Sequence, residues 1–222
     1  MKIIGHRGAR GLAPENTLAG FDKAIKHGVD GIELDVRISK DGATVLTHNK
    51  NVTDPAGNKL AVRDHTLAEL CAHKPDLTTL DETLAYLAGR VPIIIEVKPG
   101  ENVVPVIATV RSALGQHWDT ENIAFISFDF GILKQLHAAF PGHRIMVDEM
   151  WSGIRAAYRA RRLGSKDISL YAPVLWSGFI RAVSRHGYHI HAFPLNNTRK
   201  AQRWAKYGLA SAITDYPDRF EH

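Results

Sequence analysis

Three carboxylates, two imidazoles and two cationic side chains stand at spacings that bring them to one place. Glu33 and Asp35 are two apart in "GIELDV", Glu96 and Lys98 repeat that spacing in "IIIEVKP", His6 and Arg7 are adjacent in "GHRG", and His48 follows "TVLT". In an extended strand, residues two apart share a face. Three carboxylates on converging faces repel unless a positive charge joins them, and a hard divalent cation with oxygen ligands does so. Arg7 and Lys98 add fixed positive charge suited to an anionic oxygen on a substrate. His6 and His48 form an acid and base pair that works near neutral pH, with either order of roles open. The combination points to phosphodiester cleavage. Each piece also has a plainer reading. A lone His6 suits a backbone-bonded ring, and Glu33 and Asp35 can pair with Arg7 and Lys98 without a metal. Glu96 on an otherwise apolar strand is harder to explain away, because burying an unpaired carboxylate is costly.

Such groups need a scaffold that aims strand ends at one point. Short β-branched runs predict strands at 2–5, 31–36, 92–97, 123–127, 143–147, 168–171, 188–193 and 211–214. Helical patterns lie between them, at 17–27, 103–114, 130–139, 178–186 and 198–207, with Gly28, Gly115, Gly164, Gly187 and Gly208 near helix ends. Eight strands alternating with helices imply a parallel sheet, and eight is the number that closes a (β/α)₈ TIM barrel. An open doubly wound sheet competes, but no GxGxxG follows the first strand. In a barrel the reactive groups come from the C-terminal strand ends. Those ends carry His6 and Arg7, Glu33 and Asp35, His48, Glu96 and Lys98, then Ser127 and Asp129. In "GIELDV" the acidic pair looks into the mouth, while Ile32, Leu34 and Val36 pack under helices. After the second strand, residues 49–80 read as a short insertion within one domain spanning 1–222. The stretch "SKDGATVLTHNKNVTDPAGNKL" after that strand reads as an irregular extension with turns at Asp41-Gly42 and Pro55-Ala56-Gly57, and two short helical pieces follow, "TLAELCAH" and "LDETLAYLAG".

Composition narrows the classes. The chain has 222 residues, 45% hydrophobic, enough for one substantial core. A single cysteine, Cys71, forbids an internal disulfide and fits a cytoplasmic protein. "MKII" is too short for the apolar part of a signal peptide, and no apolar run is long enough to span a bilayer. The net charge is +5. The cluster Arg155, Arg159, Arg161 and Arg162 reads as the solvated face of a helix. Without basic and aromatic residues interleaved, nucleic-acid binding is not expected. Without an amphipathic anchor or apolar lid, stable membrane association is not expected either. A small-molecule phosphodiester is the expected partner, and nothing in the sequence sets an oligomeric state.

The stretch "GHRGARGLAPENTLAGFDKAIKHGVDGIELDVRISKDGATVLTHN" resembles the start of a glycerophosphodiester phosphodiesterase, of the bacterial cytoplasmic type. "IIIEVKP", "ISFDFGILKQL" and "LASAITDYPDRF" resemble later motifs of that family, in its order and spacing. The resemblance implies a (β/α)₈ barrel that hydrolyses glycerophosphodiesters to glycerol 3-phosphate and an alcohol, using Mg²⁺ or Ca²⁺. It implies His6 and His48 as general acid and base, and Glu33, Asp35 and Glu96 as metal ligands. Arg7 and Lys98 become phosphate-binding residues. The glycines of the first loop let backbone approach the site, while Glu15 and Asn16 brace the loop and cap the next helix. Three departures from the family pattern fall around the substrate: Asn49 after the second histidine, no arginine in "NKNVTDPAGN", and Phe193-Pro194-Leu195-Asn196 at the seventh strand end. Phe193 is therefore a candidate substrate contact. A sugar phosphodiester is the alternative substrate, and a non-catalytic binder of phosphorylated polyols is the alternative of another class.

Overall fold

The computed structural model describes residues 1–220. In chain order the strands are β1 (Lys2–His6), β2 (Gly31–Ile38), β3 (Thr44–Leu46), β4 (Asn51–Thr53), β5 (Lys59–Ala61), β6 (Ile93–Val97), β7 (Ile123–Ser127), β8 (Arg144–Glu149), β9 (Asp167–Tyr171), β10 (His189–Phe193) and β11 (Leu209–Thr214). The helices are α1 (Leu18–Lys26), α2 (Leu67–His73), α3 (Leu80–Leu87), α4 (Val103–Ala113), α5 (Phe130–Ala139), α6 (Gly153–Arg162), α7 (Ser177–Arg185) and α8 (Thr198–Ala205). Eight strands, β1, β2 and β6–β11, pair in parallel around a ring that β1 closes by pairing with both β11 and β2. This is the (β/α)₈ barrel. No helix among the described residues is long and apolar enough to cross a membrane.

Strand parity builds two cores. Ile32, Leu34 and Val36 point outward into the layer under the helices, as do Ile93, Ile95 and Val97. The alternate residues point inward, where Ile4, Ile94, Ala124, Ile126, Met146 and Ile213 fill the barrel. Above that plug, the inward positions Glu33, Asp35 and Glu96 are polar and still buried. All five helix-end glycines named above take positive φ, the left-handed conformation that stops a helix at little cost to glycine.

The excursion after β2 is more ordered than its sequence suggests. β3 runs antiparallel to the end of β2, β4 and β5 form a hairpin, and Val45, Val52, Val62, Leu70 and Leu77 make a small core of their own. Thr66 and Thr79 cap α2 and α3, each in a reciprocal box with a glutamate three residues on. The second helical piece, α3, belongs to the barrel wall. Its Tyr86 hydroxyl reaches Asp22 of α1, and its Leu84 carbonyl accepts from the Trp118 indole.

Candidate active site

His6 closes β1, and the chain then turns through two positive-φ residues, Arg7 at +52° and Gly8 at +85°. Outside glycine the left-handed region is costly, and such strain persists only where surroundings over-determine it. Here they do. The Arg7 N–H donates to Glu33 Oε2 at 3.0 Å, and its guanidinium lies 3.0 Å from Glu15 Oε2 and 3.1 Å from Asp35 Oδ2. Asn16, also at positive φ, donates to Asp35 Oδ2 at 2.8 Å and accepts the Asp35 N–H at 3.1 Å. Gly5 is obligatory, because a Cβ there would collide with the Gly8 carbonyl. The role expected of Asn16 needs correcting. Thr17 caps α1, accepting from the Gly20 N–H, while Asn16 holds a carboxylate.

Three acidic side chains meet at this end of the barrel. Glu33, Asp35 and Glu96 each offer an oxygen within 4.8 Å of the other two, and all three are buried. Lys98 Nζ lies 2.5 Å from Asp35 Oδ1 and 2.7 Å from Glu96 Oε2. Burial opposes ionisation of Asp35, yet Lys98 and then Arg7 hold it below the usual carboxylate range. Glu33 goes the other way. Burial, followed by repulsion from Asp35 and Glu96, raises it well above its ordinary value. Burial likewise pushes Glu96 up to about 7, against the pull of Lys98. Its Oε1 is buried without a hydrogen-bond partner. Three carboxyl groups thus face two cationic side chains, and the raised values of Glu33 and Glu96 mark groups that lack a positive partner of their own; hard oxygen donors with an orphaned lone pair fit a divalent cation.

The two histidines are anchored differently. His6 Nδ1 lies 2.6 Å from Asp215 Oδ1, and its Nε2 is 4.0 Å from Glu33 Oε2. A carboxylate can only accept, so Nδ1 carries the hydrogen and Nε2 faces the cluster. Burial opposes the Asp215 charge, but hydrogen bonds from His6 and Asn196 outweigh it and bring Asp215 down to about 2. Asn196 Nδ2 donates to Asp215 Oδ2 at 2.8 Å. His48 lies just past β3, half-buried, with Nδ1 3.1 Å from Asn49 Oδ1. Its carbonyl accepts twice from the Arg37 guanidinium, which Glu101 in turn holds at 2.7 Å. Burial and then the positive charge of Lys98 lower His48 below the ordinary histidine value.

Phe193 ends β10 beside this cluster. With His6, Glu33, Glu96 and Asp148 it lines a cavity of about 20 Å³. Phe128 and Tyr171 pack on it at centroid distances of 6.0 and 6.1 Å. The structure thus brings His6, Arg7, Glu33, Asp35, Glu96, Lys98 and Phe193 to one end of the barrel, with His48 on the adjoining loop. Ser127 and Asp129 serve structure instead. Ser127 Oγ donates to the Val97 carbonyl, and Asp129 caps α5. The arginine cluster is also more than a solvated face. Arg155 Nε and Nη2 bind both oxygens of buried Glu149 at 2.6 and 2.7 Å, and Arg159 Nη1 reaches the Phe128 carbonyl.

A sequence pattern of the glycerophosphoryl diester phosphodiesterase family matches residues 6–219. The chain belongs to that family. Among family relatives, the Bacillus subtilis protein YhdW is 31% identical over 98% of this chain and 96% of its own. A glycerophosphodiester phosphodiesterase of Caldanaerobacter subterraneus is 25% identical over 97% of this chain and 94% of its own. A solved Oleispira antarctica phosphodiesterase, in complex with the product sn-glycerol-3-phosphate, superposes with a TM-score of 0.86 at 25% identity, covering 99% and 94% of the two chains.

Sequence reading passed over four residues around this cluster. Asp215 stands one residue past β11 in "AITDYP", a strand-end carboxylate whose partner, His6, lies 209 residues away in the chain. Asp148 in "MVDEM" sits on the inward face of β8 and faces Glu96. Burial and that neighbour raise it well above its ordinary value. Arg37 and Glu101 left no local signal, because they act on His48 through backbone and across 64 residues.

Proposed function

We propose that the protein is a cation-dependent glycerophosphodiester phosphodiesterase working by two-histidine acid and base catalysis. The observation that carries the reading is the pair of imidazoles beside a buried three-carboxylate cluster flanked by Arg7 and Lys98. Glu33, Asp35 and Glu96 would hold the ion, Mg²⁺ or Ca²⁺. When bound, it would supply positive charge that offsets the charge developing on the phosphoryl group and makes the attacking hydroxyl more acidic. Arg7 and Lys98 bind the phosphoryl oxygens. One imidazole takes the proton of the hydroxyl beside the phosphate as its oxygen bonds to phosphorus. The other protonates the alcohol oxygen as its bond to phosphorus breaks. Water then opens the resulting cyclic diester by the reverse proton traffic, giving glycerol 3-phosphate. Asp215 holds His6 in the tautomer that leaves Nε2 reactive, and Arg37 fixes the His48 loop.

A sugar phosphodiester is the second reading, favoured by the aromatic wall of Phe128, Tyr171 and Phe193, whose ring faces suit a sugar. A panel of glycerophosphodiesters and sugar phosphodiesters tests both, assayed after chelation and again with Mg²⁺, Ca²⁺ or Mn²⁺. Glycerophosphodiester turnover restored by a hard cation supports the first reading, and preference for a sugar diester supports the second. Binding without turnover of any diester moves the polyol-binding alternative ahead. A nitrophenyl diester, whose alcohol leaves without a proton, should rescue the variant that has lost the acid and not the one that has lost the base.

A further inference from the structure

Large apolar side chains stand in water at one sector of the barrel mouth. Trp151 is 74% exposed, Ile154 81%, Trp176 65% and Tyr158 61%. They come from the loop and first turns after β8 and from the loop after β9, so Trp151, Ile154 and Trp176 lie on the face that carries the catalytic cluster. The patch is built rather than frayed. The Trp176 ring lies against Gly178, and the Phe179 ring lies against Gly153, so neither glycine has room for a Cβ. Trp151, Ile154, Val174, Trp176 and Phe179 line a shared apolar recess of about 230 Å³. Monomeric proteins rarely keep such a patch without a partner.

Charge says which partner. Residues 150–214 hold eleven of the chain's 28 lysines and arginines but one of its 23 acidic residues, Asp167. That aspartate is buried and already bonded to Arg144 and His191. This third of the chain contains α6, α7 and α8, neighbours on one flank of the barrel, and its formal excess is ten positive charges. The rest of the chain, with 17 basic and 22 acidic residues, is net negative. Glu149, just before this stretch, pairs with Arg155 and Arg159, and tryptophans and aliphatic residues beside the basic flank that remains are the chemistry of an interfacial surface on anionic lipid. Nucleic acid would match the charge, but Ile154 and Val174 offer no ring for a base to stack on.

We propose that this sector docks the protein reversibly on an anionic bilayer, with Trp151, Ile154 and Trp176 entering the headgroup layer and the α6–α8 flank meeting its charge. The apolar residues come from two separate loops and form no continuous amphipathic segment, and reversible docking of this kind is compatible with the expected lack of stable membrane association. Docking presents the barrel mouth to diesters held or released at the membrane surface.

Cosedimentation with vesicles of phosphatidylglycerol, and of phosphatidylcholine alone, tests the proposal. Binding is expected to the anionic vesicles, and it should weaken steeply as salt rises. Trp118 and Trp204 are buried, so a blue shift of tryptophan fluorescence on binding reports Trp151 and Trp176. The Trp151→Ala/Trp176→Ala variant should lose at least about tenfold in vesicle affinity and all of the shift. Its turnover of a soluble glycerophosphodiester should stay unchanged, which also shows that it is folded. Arg161→Glu/Arg162→Glu should weaken binding while leaving that turnover intact. No binding to anionic vesicles overturns the proposal, as does equal binding by the tryptophan variant. Tryptophan-dependent binding to duplex DNA in place of vesicles, or tryptophan-dependent dimerisation, overturns it in favour of those partners.

Discussion

At the mouth of the barrel His6 gives Nδ1 to Asp215 and keeps Nε2 toward the carboxylate cluster, 4.0 Å from Glu33. At the opposite end His191 uses both ring nitrogens, Nδ1 with Ser211 Oγ at 2.7 Å and Nε2 with Asp167 Oδ1 at 3.0 Å. Arg144 completes that closed set, binding the same aspartate oxygen at 2.5 Å. Both pairs are largely buried, and both aspartates are held below the ordinary carboxylate range by hydrogen bonds that outweigh burial. The difference lies in what remains unspent. A ring with both nitrogens satisfied stiffens a fold, whereas a ring with one nitrogen left without a hydrogen-bond partner and aimed at the carboxylate cluster is equipped to move a proton. Residue type does not separate the two, and counting partners does.

The comparison breaks most visibly at the carboxylate cluster, which has no counterpart at the closed end among the described residues. Chelation, or Glu33→Gln or Glu96→Gln, removes a contribution worth several kcal/mol to the transition state, so turnover should fall on the order of 10³-fold or more. Restoring a hard cation should rescue the chelated enzyme and not the variants. Unchanged turnover in strong chelator would remove the cation from the account.

Matched aspartate variants come next. Asp215→Asn leaves the His6 tautomer unspecified and should lower kcat by about 10²-fold, with KM and Tm little changed. Asp167→Asn should do the reverse, keeping kcat and costing roughly 1–3 kcal/mol of stability in denaturant melts. Equal kinetic losses in both would erase the distinction between the ends.

Much of the mouth was legible in the sequence because parity and strand ends are local signals. "GIELDV" and "IIIEVKP" show on their own which residues look inward, and the barrel turns strand ends into neighbours. Partnership is not local. Asp215 joins His6 across 209 residues, and His191 in "HIHAF" has the same alternation whether its ring is satisfied or free. Helical spacing placed Arg155 on an outer face, but Glu149 at the end of β8 draws it back, which spacing cannot report. The order of the excursion after β2 leaves no sequence signal because its strands are three residues long, too short for alternation to register.

Acid titration sharpens the comparison at the closed end. Burial lowers His191, and its contact with Asp167 only partly restores it, so the native ring is neutral. The unfolded chain therefore binds an extra proton between that lowered value and the ordinary value of about 6.5. Stability from the neutral ring is fully present above about pH 6.5 and is lost as pH falls below it. Thermal melts between pH 7.5 and 5 should show this slope, and His191→Gln should flatten it. An unchanged slope in that variant would assign the titration elsewhere.

The smallest effect separates the arginines of α6. Arg155→Ala strands the buried Glu149 carboxylate and should lower Tm, whereas Arg161→Ala should leave it unchanged. Identical melts for the two would return Arg155 to the solvated face.

The most direct measurement places His6→Ala and His191→Gln side by side, recording kcat on a glycerophosphodiester and Tm for each. Proton transfer by a positioned side chain typically contributes about 10²–10⁴-fold. His6→Ala should lose turnover on that scale with Tm nearly kept, and His191→Gln should keep turnover while Tm falls. If His6→Ala turns over normally, or His191→Gln loses as much activity as His6→Ala, the division between a working end and a closed end is wrong.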